Sequence, residues 1–103
     1  MNALEVLTSA RALISDPARW TQGHAARDTS GSFTGATRDD ATCWCTIGVC
    51  VRVADGGFSE HVCELLTRAA GTSQIGSFND THTHAEVLAM FDQAITLAKA
   101  GGL

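Results

Sequence analysis

Thr83-His84-Ala85-Glu86 is a capping box, and it opens the clearest helical signal in the chain: Val87, Leu88, Phe91, Ile95 and Ala98 recur at helical spacing behind it. A helix with one apolar stripe gains most of its stability from burying that stripe, so other segments of the chain have to cover it. The first 82 residues therefore have to supply partner helices, a sheet, or both.

Asn2 to Ser15 is one such partner. Leu4, Leu7, Ala10 or Arg11, and Ile14 form a stripe, with Val6 and Leu13 beside it. Asp16-Pro17 ends that helix and opens a short turn over Pro17 to Trp20, with Asp16 as N-cap and Pro17 at the first helical position. Ser59 to Ala70 is another helix: Ser59 caps it, Val62, Leu65, Leu66 and Ala69 share a face, and Gly71 stops it. Gly71 to Asn79 reads as a connector.

The stretch from Ala41 to Ala54 has two readings. Thr46, Ile47, Val49, Val51 and Val53 favour strand, and apolar residues at odd positions fit its alternation. Asp39 or Asp40 as N-cap, and Asp55-Gly56-Gly57 as a stop, fit helix. Its length is ordinary for a helix and long for a strand, so the segment is assigned to helix. Before it, Thr21 to Asp40 is rich in Thr, Gly, Ser, Asp and Arg, with a short β-hairpin expected where Ala25–Asp28 and Ser32–Thr34 flank Thr29-Ser30-Gly31. A polar stretch of that length in so small a domain is either ordered by packing or functional. The expected fold is mainly α: a compact bundle of about four helices with a polar loop or short β-hairpin insert. With 45% hydrophobic residues, residues 1–103 suffice for a single domain.

Net charge is −4, and Arg11, Arg19, Arg27, Arg38, Arg52 and Arg68 are spread singly. Nucleic-acid binders gather such charge on one face, so this pattern argues against that partner. No apolar run is long enough for a membrane span, and the N-terminus lacks the pattern of an export signal. A cytoplasmic location is expected, and with it reduced cysteines.

Cys43, Cys45, Cys50 and Cys63 raise the question of metal. On a helix Cys43 and Cys45 point about 200° apart, and Cys43 and Cys50 share a face about 10 Å apart. Neither pair fits one ion, although a strand would put Cys43 and Cys45 on one face. Small core-filling cysteines are the expectation, with no metal and no cofactor. His82 and His84 flank Thr83 beside Asp80 and Glu86, a set able to bind metal or move protons, but also an ordinary helix start. A small enzyme or metal protein using Cys45, Asp80, His82, His84 or Glu86 is the alternative function, although no nucleophile motif surrounds Cys45.

The remaining polar residues cluster beside aromatics. Trp20, Arg27, Asp28, Trp44, Cys45, Asn79 and Asp80 are the candidate ligand-binding set, and no catalytic or metal-binding residue is assigned. Individually each has a structural explanation, such as a core tryptophan or a turn-forming Asx residue; together they are able to line a pocket.

Trp20-Thr21-Gln22-Gly23, Ala26-Arg27-Asp28, Trp44-Cys45-Thr46-Ile47-Gly48 and Phe78-Asn79-Asp80 with Thr83-His84-Ala85-Glu86-Val87-Leu88 resemble the motifs of a small domain family of unknown function found in bacteria and their phages. The resemblance runs from the first helix to Ile95. It implies helix over Trp44 to Ala54, where this chain departs by carrying Cys50 and several valines, with Cys43 just before the segment. It implies a connection to mobile elements and no particular activity. The function expected is a non-enzymatic binding or accessory domain engaging a host protein or small molecule through its polar loop. A structural module that self-associates through the last helix, making a homo-oligomer, is the third reading.

Overall fold

In a computed structural model, which describes residues 1–101, the chain forms five α-helices and one small sheet. α1 spans Ala3–Leu13 and starts with a capping box of Asn2 and Glu5. A 3-10 turn at Pro17–Arg19 follows, with the Asp16 side chain accepting the Ala18 N–H as expected. The hairpin also forms where the turn residues placed it: β1 is Ala26–Arg27 and β2 is Phe33–Thr34. β3, Cys43–Trp44, pairs with the other side of β1, giving an antiparallel sheet of order β2-β1-β3.

β3 corrects the helix expected over Ala41–Ala54. α2 covers only Thr46–Val53, and its N-cap is Cys45, not Asp39 or Asp40. The reason lies in β1, whose backbone needs partners on both sides. Thr42 N–H donates to the Arg27 carbonyl at 2.9 Å and Cys45 N–H to the Ala25 carbonyl at 3.1 Å, which holds residues 42–45 extended. The valines that favoured strand lie in the helix, where tertiary packing outweighs their propensity.

α3, Glu60–Ala70, is capped by Ser59 and ends at Gly71 in the left-handed region. Residues 71–79 are not simply a connector: α4 occupies Ile75–Thr81, with Ile75 and Asn79 buried one turn apart. Gly76, Ser77, Asn79, Asp80 and Thr81 are weak helix formers, and Gln74 provides no side-chain cap, so the segment carries little local helical signal. α5, His84–Lys99, begins at the expected Thr83–Glu86 box.

α5 packs along α1 and α3, and α1 also meets α2. Leu7, Ile14, Val49, Leu65, Leu66, Val87 and Phe91 form the fully buried centre. Arg11 and Asp92 bridge α1 and α5 at 2.9 Å, but as a solvated pair they contribute little beside this apolar contact. The sheet joins the bundle through β3, which packs on α2 and on the 3-10 turn, and its Ala26 and Trp44 are part of the buried core. No helix among the described residues is long and apolar enough to cross a membrane.

Candidate functional site

Asn79, fully buried on α4, is the node where the polar motifs meet. Its Oδ1 accepts from Trp20 Nε1 at 2.8 Å, from the Thr46 backbone N–H at 3.0 Å and from the Thr46 hydroxyl at 2.9 Å. Its Nδ2 donates to the Thr21 carbonyl and to Asp80 Oδ1, both at 3.0 Å. Turning the amide over would set its NH₂ against two N–H donors, so the network itself fixes the orientation. Thr46 opens α2, so Asn79 also satisfies a backbone N–H that the helix start leaves without an intrahelical acceptor.

Around this node the Trp20–Gly23 segment is strapped to α4. Asp80 accepts the Gly23 N–H at 2.9 Å, and the Gln22 side chain donates to the Asn79 and His82 carbonyls, each at 3.0 Å. Arg27 carries the strap into the hairpin: Nε donates to Thr21 Oγ1, Nη2 to the Gln22 carbonyl and Nη1 to the Gly31 carbonyl. Its neighbour Asp28 is engaged separately, with Oδ1 accepting from the Ser30 hydroxyl and from the Ser30 and Ser32 N–H groups. The Ser30 hydroxyl leads these bonds in holding the Asp28 carboxyl below the usual range. On the far side of the sheet, buried Trp44 donates to the Ala36 carbonyl, and Arg52 lies over its ring and donates to the Arg38 carbonyl at 2.8 Å.

Trp20, Asn79 and Asp80 therefore converge directly, and Arg27 joins them through Thr21 and Gln22. Asp28 and the Trp44 ring make their bonds elsewhere along the loop. Thr21, Gln22 and Thr46 are essential to this arrangement; they stand in the Trp20–Gly23 and Trp44–Gly48 motifs but outside the candidate ligand-binding set. Their signal was position alone, beside Trp20 and Trp44, which a parallel bridge joins.

One exposed feature tops this framework. β1 and β2 pair Arg27 directly opposite Phe33, and the Arg27 Cζ sits 4.7 Å from the Phe33 ring centroid. His24 stacks on the same ring at 4.2 Å with planes 7° apart, yet Phe33 remains 61% exposed. Neither His24 nor Phe33 stood out in the sequence, because the hairpin register is what brings them together.

The alternative residues have structural partners. His84 donates Nε2–H to the Ile14 carbonyl at 2.7 Å and leans on Trp20; His82 donates Nδ1–H to the Phe78 carbonyl and stacks on Phe78. Glu86 completes its capping box, and the Thr83 N–H holds its carboxyl below the usual range. Cys45 is not a core filler: its Sγ accepts the Gly48 N–H at 3.3 Å as the cap of α2. Burial pushes its thiol up despite that helix-start position, opposite to the shift of an activated nucleophile. Cys43 and Cys63 are half-buried, so Cys50 alone fits the core-filling expectation fully. Among the described residues, no three His, Cys, Asp or Glu side chains are placed to hold one ion.

Burial pushes the Cys50 thiol up to about 12, which gives a pH prediction. Above about pH 9 the unfolded chain releases this proton while the folded chain keeps it, so the unfolded state binds fewer protons and stability falls as pH rises. The loss reaches up to about 1.4 kcal/mol per pH unit for this one group. Urea midpoints measured from pH 8 upward will fall less steeply for Cys50→Ala than for the wild type; equal slopes would refute the assignment.

No curated protein and no solved structure matches the chain. A family model does match, over residues 1–97: the chain belongs to a family of unknown function, DUF6197.

Proposed function

We propose that this protein is a non-enzymatic binding domain that engages a protein partner through the β1–β2 hairpin, with Phe33 as the anchor and His24 and Arg27 beside it. The observation carrying this reading is an aromatic ring 61% exposed on a loop whose backbone is tied down at successive points. Gly23 is held by Asp80, Gly31 by Arg27, Ala36 by Trp44 and Arg38 by Arg52. A surface ordered before binding loses less conformational entropy when it docks, and aromatic and arginine side chains dominate the energetics of such contacts.

The motif residues favour a scaffold role over chemistry. The Asn79 amide has its lone pairs and both N–H groups engaged, and the Cys45 thiol is held protonated. The resemblance to a family carried by bacteria and their phages makes a host protein met in the cytoplasm the partner we favour.

The test places a photo-crosslinking phenylalanine analogue at position 33 and, as a control, at exposed Thr96 on α5. In extract of the source cells a discrete adduct is expected at 33 alone. Phe33→Ala should abolish capture by the wild-type surface while changing stability by about 1 kcal/mol or less, the scale of its ring contacts. Equal capture by Phe33→Ala, or adducts of the same size from both positions, would sink the reading.

A further inference from the structure

A second feature is a hollow where the start of α1, the end of α2 and the start of α3 meet. It measures about 110 Å³ and is lined chiefly by Ala3, Val6, Cys50, Ala54, Phe58 and Val62, with Met1 at its edge. We infer that it binds the uncharged apolar end of a small molecule, close to a six-carbon ring or a branched alkyl group in size.

Two observations carry this assignment. The volume is somewhat below the roughly 150 Å³ of an engineered cavity that takes up benzene, and an opening to solvent allows a ring to protrude. The lining exposes more apolar than polar surface. Ser59, its hydroxyl-bearing member, already uses Oγ to accept the Val62 N–H at 3.1 Å, and no buried side-chain N or O atom among the described residues lacks a partner. Burying the larger, apolar part of this lining against an apolar group is favourable.

The probe is toluene, with benzoate as a charged molecule of the same ring size, titrated into ¹⁵N-labelled protein. Saturable amide shifts are expected at Cys50, Ala54 and Val62 with toluene, and no saturable shift there with benzoate. Ala54→Leu and Ala3→Leu fill the hollow from two different helices, and each should abolish the toluene shifts while the rest of the spectrum stays folded. If one variant fails to fold, the other gives the same reading. Shifts that scatter or fail to saturate, benzoate binding as well as toluene, or toluene shifts surviving in the filled protein would each overturn the assignment.

Discussion

Replacing Asn79 by alanine is expected to destabilise the protein by about 4 kcal/mol, because it strands several buried and part-buried hydrogen-bonding groups at once. Trp20 Nε1–H and the Thr46 N–H lose their acceptor, the Thr46 hydroxyl loses its partner, and the Thr21 carbonyl loses a donor. Each buried group left unsatisfied costs about 1–3 kcal/mol, and Thr46 is fully buried, so water cannot substitute there. Against a typical total of about 5–15 kcal/mol, this brings the chain near its unfolding threshold. The thermal midpoint should fall by roughly 15–30 °C for a domain of this size.

Two neighbouring substitutions show whether the node, rather than polar contacts in general, holds the structure. Asp80→Ala removes the acceptor for the exposed Gly23 N–H, which water can replace, together with one of the two acceptors of the Asn79 amide, and Thr46→Val removes one hydroxyl, so each takes away only part of the node. Each is expected to cost about 1–2 kcal/mol. Hydrogen exchange adds a spatial readout: in Asn79→Ala the amides of Thr21, Gly23 and Thr46 should lose protection before those of α3 and α5. A cost for Asn79→Ala no greater than for Asp80→Ala would show that the two halves are held together by something else.

The same node explains what was legible in the sequence. Helices whose boundaries are made by adjacent residues could be read directly: the Thr83–Glu86 box, the Ser59 cap, Gly71, and the Asp16-Pro17 turn all act within a few positions of themselves. The hairpin was readable for the same reason, since Asp28, Ser30 and Ser32 build its turn locally. α4 was not, because weak helix formers carry its buried polar group, and that group's partners lie 33 and 58–59 positions away. β3 was missed because its extended form comes from pairing with β1, which no local pattern in residues 41–45 encodes. Asn79 and Asp80 were recognised as members of a group, but the sequence could not distinguish residues aimed into a pocket from residues bonded to one another.

Gly48→Ala gives a result that helix propensity alone predicts with the wrong sign. Gly48 lies in the first turn of α2, and alanine in a helix interior is normally favoured over glycine by about 0.5–1 kcal/mol. Here a Cβ would stand 1.9 Å from the Ala25 carbonyl oxygen and 2.8 Å from its carbon, atoms of backbone that cannot rotate aside. That same oxygen accepts the Cys45 N–H, so moving it breaks the bond joining β1 to the start of α2. The overlap should outweigh the propensity gain and leave the variant destabilised by about 3 kcal/mol. Gly76→Ala in α4 is the matching control: its Cβ meets nothing nearer than Ile47 Cδ1 at 4.0 Å, so it should stabilise by about 0.5–1 kcal/mol. Urea unfolding of the two variants separates the effects, since one substitution made in two helices is expected to move the midpoint in opposite directions. Gly48→Ala should also weaken capture through Phe33, because the displaced Ala25 leads straight into β1, whereas Gly76→Ala should leave capture intact. A stabilised Gly48→Ala would mean that α2 and β1 do not approach this closely, and the rigid mounting of the hairpin would fall with that contact.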